Sequence, residues 1–191
     1  MKVVAFNGSA RKDGNTTHLV KHVFAELEKE GIKTELVQLA GENIRGCTAC
    51  WKCFKNKNKR CAVTGDIANK CIEKMLDADG IILASPTYVG GVSAEMAALI
   101  DRAGLVAKAN DDMFLRKVGA AVVAVRRGGA THAFNSLNHF FFINQIIVPT
   151  SCYWNVGIGL DRGDVEKDLE GINAMHVLGV NMAWLLKKLH A

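Results

Sequence analysis

Val3-Val4-Ala5-Phe6-Asn7-Gly8-Ser9-Ala10-Arg11-Lys12-Asp13-Gly14-Asn15-Thr16-Thr17 is the stretch on which the fold turns. Its apolar opening, two residues from the start, suits a buried strand. Small and hydroxyl residues with two glycines follow. From Asn15 the pattern becomes helical, with Leu19, Val20, Val23, Phe24 and Leu27 on one face. A strand that feeds a Gly/Ser/Thr loop opening a helix is an anion site, because free N–H groups and the positive end of the helix dipole point into the loop. Ser9, Asn15, Thr16 and Thr17 add side-chain donors and Arg11 adds charge. The loop matches neither the lysine-containing P-loop nor G-x-G-x-x-G, which argues against a nucleoside triphosphate or a dehydrogenase-type dinucleotide.

The 191 residues suffice for one domain with a full core, and 49% apolar with 23% charged residues is ordinary globular composition. No apolar run reaches the length of a membrane span, and the N-terminus lacks a signal-peptide layout. A cytoplasmic protein is expected, with its six cysteines reduced or acting as ligands. A formal charge of +5 with few aromatics and no nucleic-acid motif gives no support to nucleic-acid binding.

Strand and helix patterns alternate along the chain. Strands are expected at Lys2–Phe6, Lys33–Leu39, Gly80–Ser85, Val118–Val125 and Ile146–Tyr153, the last at an edge because of Pro149. Helices are expected from Asn15 to Glu30, closed by Gly31, and from Ile67 to about Ala78, capped by Asp66. Others run from a Ser93 cap through Leu105, from about Thr131 to Asn144, and from Val165 or later to Leu189. The alternation implies a three-layer α/β/α fold whose five-stranded parallel sheet has the flavodoxin-like order 2-1-3-4-5. In that order a ligand binds outside the strand ends between strands 1 and 3, where the Gly8–Thr17 and Pro86–Gly91 loops meet.

These loops resemble those of the NAD(P)H-dependent FMN reductase group. Gly8-Ser9-Ala10-Arg11-Lys12-Asp13-Gly14-Asn15-Thr16 is similar to its G-S-x-R-x-x-G-N-T phosphate loop. Ser85-Pro86-Thr87-Tyr88-Val89-Gly90-Gly91-Val92-Ser93, with Leu99-Ile100-Asp101-Arg102 after it, resembles the second flavin loop and its helix. Val125–Gly129 resembles the third. The resemblance implies FMN, its phosphate on the loop of Ser9, Arg11, Gly14, Asn15, Thr16 and Thr17. Pro86, Thr87, Tyr88, Val89, Gly90, Gly128 and Gly129 would border the ring.

Cys47, Cys50, Cys53 and Cys61 read C-x2-C-x2-C-x7-C. Four thiolates can close a [4Fe–4S] cube or hold a tetrahedral zinc, although zinc ribbons usually split their ligands into two C-x2-C pairs. Apolar packing of the thiols is a third possibility. The spacing resembles the compact motif of the iron–sulfur flavoproteins, a branch of the same group, with a longer gap here filled by Lys55-Asn56-Lys57-Asn58-Lys59-Arg60. One FMN-binding domain over 1–191 is expected, with a cysteine-rich segment at 41–65 after the second strand.

Cys71 and Cys152 read as core residues. Lys55–Arg60 reads as a solvated loop or as a field that steers an acidic partner. His132 and His139 read as surface or capping residues. Phe140-Phe141-Phe142-Ile143 suits a buried helix end or a subunit interface. The chemistry is that of the cofactors, so no catalytic side chain is assigned. The resemblance implies NAD(P)H or ferredoxin as donor, quinones or oxygen species as acceptors, and a homodimer or homotetramer. A cluster-free NAD(P)H-dependent FMN or quinone reductase and a non-enzymatic flavodoxin-like carrier are the alternatives.

Overall fold

The computed structural model describes residues 1–191. Five parallel strands, β1 (Lys2–Asn7), β2 (Lys33–Gln38), β3 (Gly80–Pro86), β4 (Val118–Val125) and β5 (Val156–Ile158), lie in the order β2-β1-β3-β4-β5. Five longer helices flank the sheet: α1 (Asn15–Lys29), α3 (Ala68–Asp77), α4 (Ala94–Ala109), α5 (Ala130–Ile143) and α6 (Leu169–Leu189). A short α2 (Lys52–Asn56) stands in the cysteine-rich segment, and a 3-10 turn covers Asp164–Lys167.

The inner strands are apolar throughout because both faces are covered. Val4, Phe6, Ile81, Leu83, Ala121 and Val123 pack into a core with α3, α4 and α5. Their neighbours Val3, Ala5, Ile82, Ala84, Ala120 and Val122 pack with α1 and α6 on the other side. Successive side chains of a strand point to opposite faces, so one run fills two cores. Gly31, at φ +74°, ends α1, and Ile32 N–H donates to Leu27 O (3.1 Å) in the 6→1 bond of a Schellman cap. Ser93 caps α4, its hydroxyl accepting from Met96 N (3.3 Å), and α4 runs a turn beyond Leu105.

The fifth strand departs from the expected Ile146–Tyr153. Only Ile147 touches the edge of β4, as an isolated bridge to Val118, and Pro149 has no N–H with which to extend the ladder. The chain leaves the sheet and returns at Asn155. Asn155 Nδ2 donates to Ala121 O (2.9 Å) and Asn155 O accepts from Val123 N (2.9 Å), which seats Val156–Ile158 beside Val123–Val125. Cys152 therefore lies in an exposed turn, not in the core, whereas Cys71 is fully buried. Phe140 and Phe141 are buried, but Phe142 and Ile143 are each 62% exposed, so the end of α5 is not wholly interior. His132 and His139 are exposed, as expected.

Candidate functional site

The cleft between the ends of β1 and β3 is built first by backbone approach. Gly8 N–H donates to Ala84 O (2.8 Å), and a Cβ on Gly8 would stand 2.5 Å from Ser93 Oγ. Glycine lets the first loop lie directly against the start of α4. Asn7 braces the turn: its Oδ1 accepts from Ser9 N (2.9 Å) and its Nδ2 donates to Thr17 Oγ1 (2.9 Å) and Gln38 Oε1 (2.8 Å). Gly14 is the N-cap of α1 and no side chain caps that helix, so its first-turn N–H groups face the loop without protein acceptors.

Ser9, Arg11, Gly14, Asn15 and Thr16 line this cleft, and Pro86, Thr87 and Tyr88 form its other wall. Arg126 joins Arg11 there, and no carboxylate does, so the field favours an anion. The Ser9 and Thr16 hydroxyls are buried at the loop, and Thr87 Oγ1 is buried with no partner. An orphaned hydroxyl and an uncapped helix start fit a ligand that carries a phosphate and a polar ring edge.

Two expected phosphate ligands serve the scaffold. Thr17 Oγ1 donates to Lys12 O (2.7 Å) and accepts from Asn7, which commits the hydroxyl, and Thr17 does not line the cleft. Asn15 lines it, but its amide ties the far wall: Nδ2 donates to Asp161 O (2.9 Å), and Oδ1 accepts from Gly163 N (2.9 Å) and Val165 N (3.4 Å). Glu166 adds a second tie, to His18 Nδ1 (2.8 Å) and His22 Nε2 (2.9 Å). Asn15→Ala is thus expected to act on stability. Loss of three bonds should cost about 2–3 kcal/mol, roughly 5–10 °C in Tm by thermal unfolding.

Val89, Gly90, Gly128 and Gly129 stand outside the cleft lining. Val89 is fully exposed at φ +49°. Gly129, at φ +87°, joins the second and third loops, since a Cβ there would lie 2.9 Å from Gly90 Cα and 3.3 Å from Thr87 Cγ2. These two glycines set the spacing of the loops.

The cysteine-rich segment forms a separate pocket lined by Cys47, Cys50, Cys53 and Cys61. Residues Ala49 (φ +49°) and Trp51 (φ +58°) bend the chain so that α2 carries Cys53 inward, where it is buried. Cys61 arrives from the far side of the solvent-exposed Lys55–Arg60 segment, the end of α2 and the loop after it. No three His, Cys, Asp or Glu side chains converge as a single-ion site requires. Backbone and Thr48 hydrogen bonds hold the Cys50 thiol below its ordinary pKa, whereas burial pushes that of Cys53 up.

Arg102 of α4 lines the same pocket with a fully buried side chain. Its guanidinium pairs with the buried Asp66 carboxylate and donates to Arg45 O (3.2 Å), Val63 O (2.6 Å) and Cys61 Sγ (3.3 Å). Asp66 Oδ1 also accepts from Ala68 N (3.1 Å) near the start of α3, where Ile67 occupies the N-cap position. Burial opposes the charge of Asp66, but hydrogen bonds from Arg102, Arg45 N and Ala68 N hold its carboxyl below the ordinary 3.8. A pKa lower in the folded than in the unfolded state gives stability that is complete above about pH 4 and disappears as pH falls through the folded value. Acid unfolding followed by circular dichroism should therefore lose part of its slope below pH 3.8 in Asp66→Asn.

The sequence profile of the NADPH-dependent FMN reductase family matches residues 1–161. The chain belongs to this family. An iron–sulfur flavoprotein of Methanocaldococcus jannaschii is 37% identical over 98% of both chains. One of Methanosarcina thermophila is 33% identical over 92% of this chain and 90% of its own. The solved structure of the flavodoxin-like WrbA-like protein from Agrobacterium tumefaciens superposes with a TM-score of 0.65 at 14% identity, covering 98% of this chain and 97% of the other. This FMN reductase family member is an FMN-dependent oxidoreductase of the iron–sulfur flavoprotein type with a flavodoxin-like fold.

Several residues of this family member's sites are not evident from motif reading. Arg126, Gly159 and Leu160 close the cleft between the ends of β1 and β3, and Arg11 Nη1 reaches Leu160 O (3.4 Å). Arg102 left one signal: it falls on the same helical face as Leu99 and Val106, where a charge needs a buried partner. Arg126 left only its place in the Val125–Gly129 stretch and Gly159 left none, because their roles depend on how β4 and β5 end side by side.

No helix is long and apolar enough to cross a membrane.

Proposed function

We propose that the chain is one FMN-binding domain, with a cysteine-rich segment at 41–65, that exchanges electrons between FMN and a [4Fe–4S] cluster. The observation that carries this reading is that four cysteines, from both sides of the 54–60 segment, line one pocket of a chain that also holds a cleft suited to a phosphate. Ser9, Arg11, Thr16 and the α1 N-terminus would hold the FMN phosphate. Pro86, Thr87 and Tyr88 would border the ring, with Gly90, Gly128 and Gly129 shaping that wall and Val89 at its rim. Cys47, Cys50, Cys53 and Cys61 would ligate the cluster.

When bound, FMN supplies two-electron chemistry and the cluster one-electron chemistry. The protein's own part is to bind and orient. The α1 N–H groups and Arg11 would neutralise the phosphate, and the unpartnered Thr87 hydroxyl would be free to bond the ring. Burial of Cys53 and Arg102 keeps water from the inner side of the cysteine pocket. Donation by NAD(P)H or ferredoxin, acceptance by quinones or oxygen species, and a homodimer or homotetramer follow from the family likeness. The exposed Phe142 and Ile143 supply apolar surface for the last.

The test is anaerobic purification with an absorbance spectrum and iron, sulfide and zinc analysis. Flavin bands with about four irons per chain are expected. Flavin bands without iron would leave a cluster-free FMN or quinone reductase.

A further inference from the structure

Of the charged side chains in the protein, Arg102 is the one wholly removed from solvent, and it sits against a cysteine that the proposed function makes a ligand. We infer that Arg102 is a positioning residue for the iron–sulfur site: it turns Cys61 into the pocket and sets the cluster's reduction potential through its buried positive charge. The inference rests on the cluster reading above.

Cys61 is separated from the other three cysteines by a solvated loop, so the C-x2-C-x2-C turn cannot place it. What the structure provides instead is a bracket. The guanidinium donates through Nε to Cys61 Sγ at 3.3 Å and through Nη2 to Val63 O at 2.6 Å, so it holds the chain on both sides of Ala62. Nη1 is anchored by Asp66 and by Arg45 O at 3.2 Å, which ties in the chain just before Cys47. Asn69 supports the same residue, since Cys61 N donates to Asn69 Oδ1 (2.8 Å) and Asn69 Nδ2 to Cys61 O (3.0 Å). The planar fork of arginine can satisfy these acceptors together; a lysine ammonium cannot.

The electrostatic consequence follows from burial. A cluster gains negative charge when reduced, and a nearby fixed positive charge in a poorly screened pocket stabilises that state. Asp66 offsets part of this charge. Removing Arg102's charge should therefore lower the potential, and removing that of Asp66 should raise it. Arg102 stands on α4, whose capped start is held at the flavin-side loops by Ser93 N donating to Ser85 Oγ (3.0 Å). Eight residues of helix, about 12 Å, separate Ala94 from Arg102. The bracket is thus carried on an element with a fixed end.

The test uses the holoprotein and three variants, Arg102→Gln, Arg102→Lys and Asp66→Asn. Iron and sulfide are assayed and the cluster midpoint is read by an EPR-monitored redox titration. Arg102→Gln is expected to shift the midpoint to more negative values and Asp66→Asn to more positive ones. Arg102→Lys, which keeps the charge but loses the fork, should stay near the parent potential while retaining iron against a chelator about 10- to 100-fold less well. A merely structural arginine would lower thermal stability and leave the potential of any remaining cluster unchanged. Coincident midpoints in the variants that keep iron would overturn the inference. If Arg102→Gln does not fold, the sign of the Asp66→Asn shift decides. Iron absent from the parent protein would overturn the cluster reading itself, before any variant is made.

Discussion

Cys50→Ala is expected to reduce bound iron from about four atoms per chain to near zero while FMN stays bound at the parent affinity. Cys50 is the middle cysteine of the C-x2-C-x2-C turn, exposed, and its thiol is held below the ordinary pKa by backbone and Thr48 hydrogen bonds, which favour the thiolate that a ligand must be. Alanine leaves three sulfurs for a cube that needs four. With FMN in the proposed cleft the flavin would be spared, because the linings of the two pockets share no residue. Iron and sulfide analysis beside FMN fluorescence in the acid extract measures both in one preparation. Cys152→Ala is the control, since Cys152 is a lone exposed thiol far along the chain, outside the pocket. Iron surviving in Cys50→Ala would remove this cysteine from the site.

Ser9→Ala with Thr16→Ala should have the second large effect. Each hydroxyl is buried at the uncapped start of α1, and each would donate to a charged phosphate. Such bonds are worth about 1.5–3 kcal/mol, so the pair should weaken FMN by about 10²- to 10⁴-fold, less if the neighbours are coupled. Equilibrium titration of apoprotein with FMN reads this directly. Thr17→Ala separates binding from scaffold: its hydroxyl links Lys12 O to Asn7, so the loss should appear in thermal stability more than in affinity. Equal FMN affinity in the double variant and the parent would place the phosphate elsewhere.

Much of the fold was legible because its signals are local and repeated. The apolar runs at Lys2–Phe6, Gly80–Ser85 and Val118–Val125 are strands buried on two faces, and the helical stripe after Asn15 packs as α1. The fifth strand was misread because Ile146–Tyr153 has strand-like composition, whereas pairing was won by Val156–Ile158 through the Asn155 bonds. That outcome depends on which segment can satisfy the open edge of β4, which composition does not record. Cys152 was misplaced with it.

The candidate sites divide in the same way. The Gly8–Thr17 and Pro86–Gly91 loops and the four-cysteine spacing are properties of the chain alone, because turn chemistry and ligand spacing act over a few residues. Which of those residues face a ligand was decided in three dimensions. Thr17 and Asn15 have the right side chains but are consumed by Lys12, Asn7 and the Asp161–Val165 turn. Arg102 lies 41 residues from Cys61 and reaches it only because α4 packs beneath the cysteine-rich segment. By itself the sequence determined the order of the sheet and the loops that resemble an FMN site, and it left cluster, zinc and apolar packing open at the four cysteines. Tertiary structure decided where each polar group spends its hydrogen bonds, since a buried donor must take the partner that folding brings within reach.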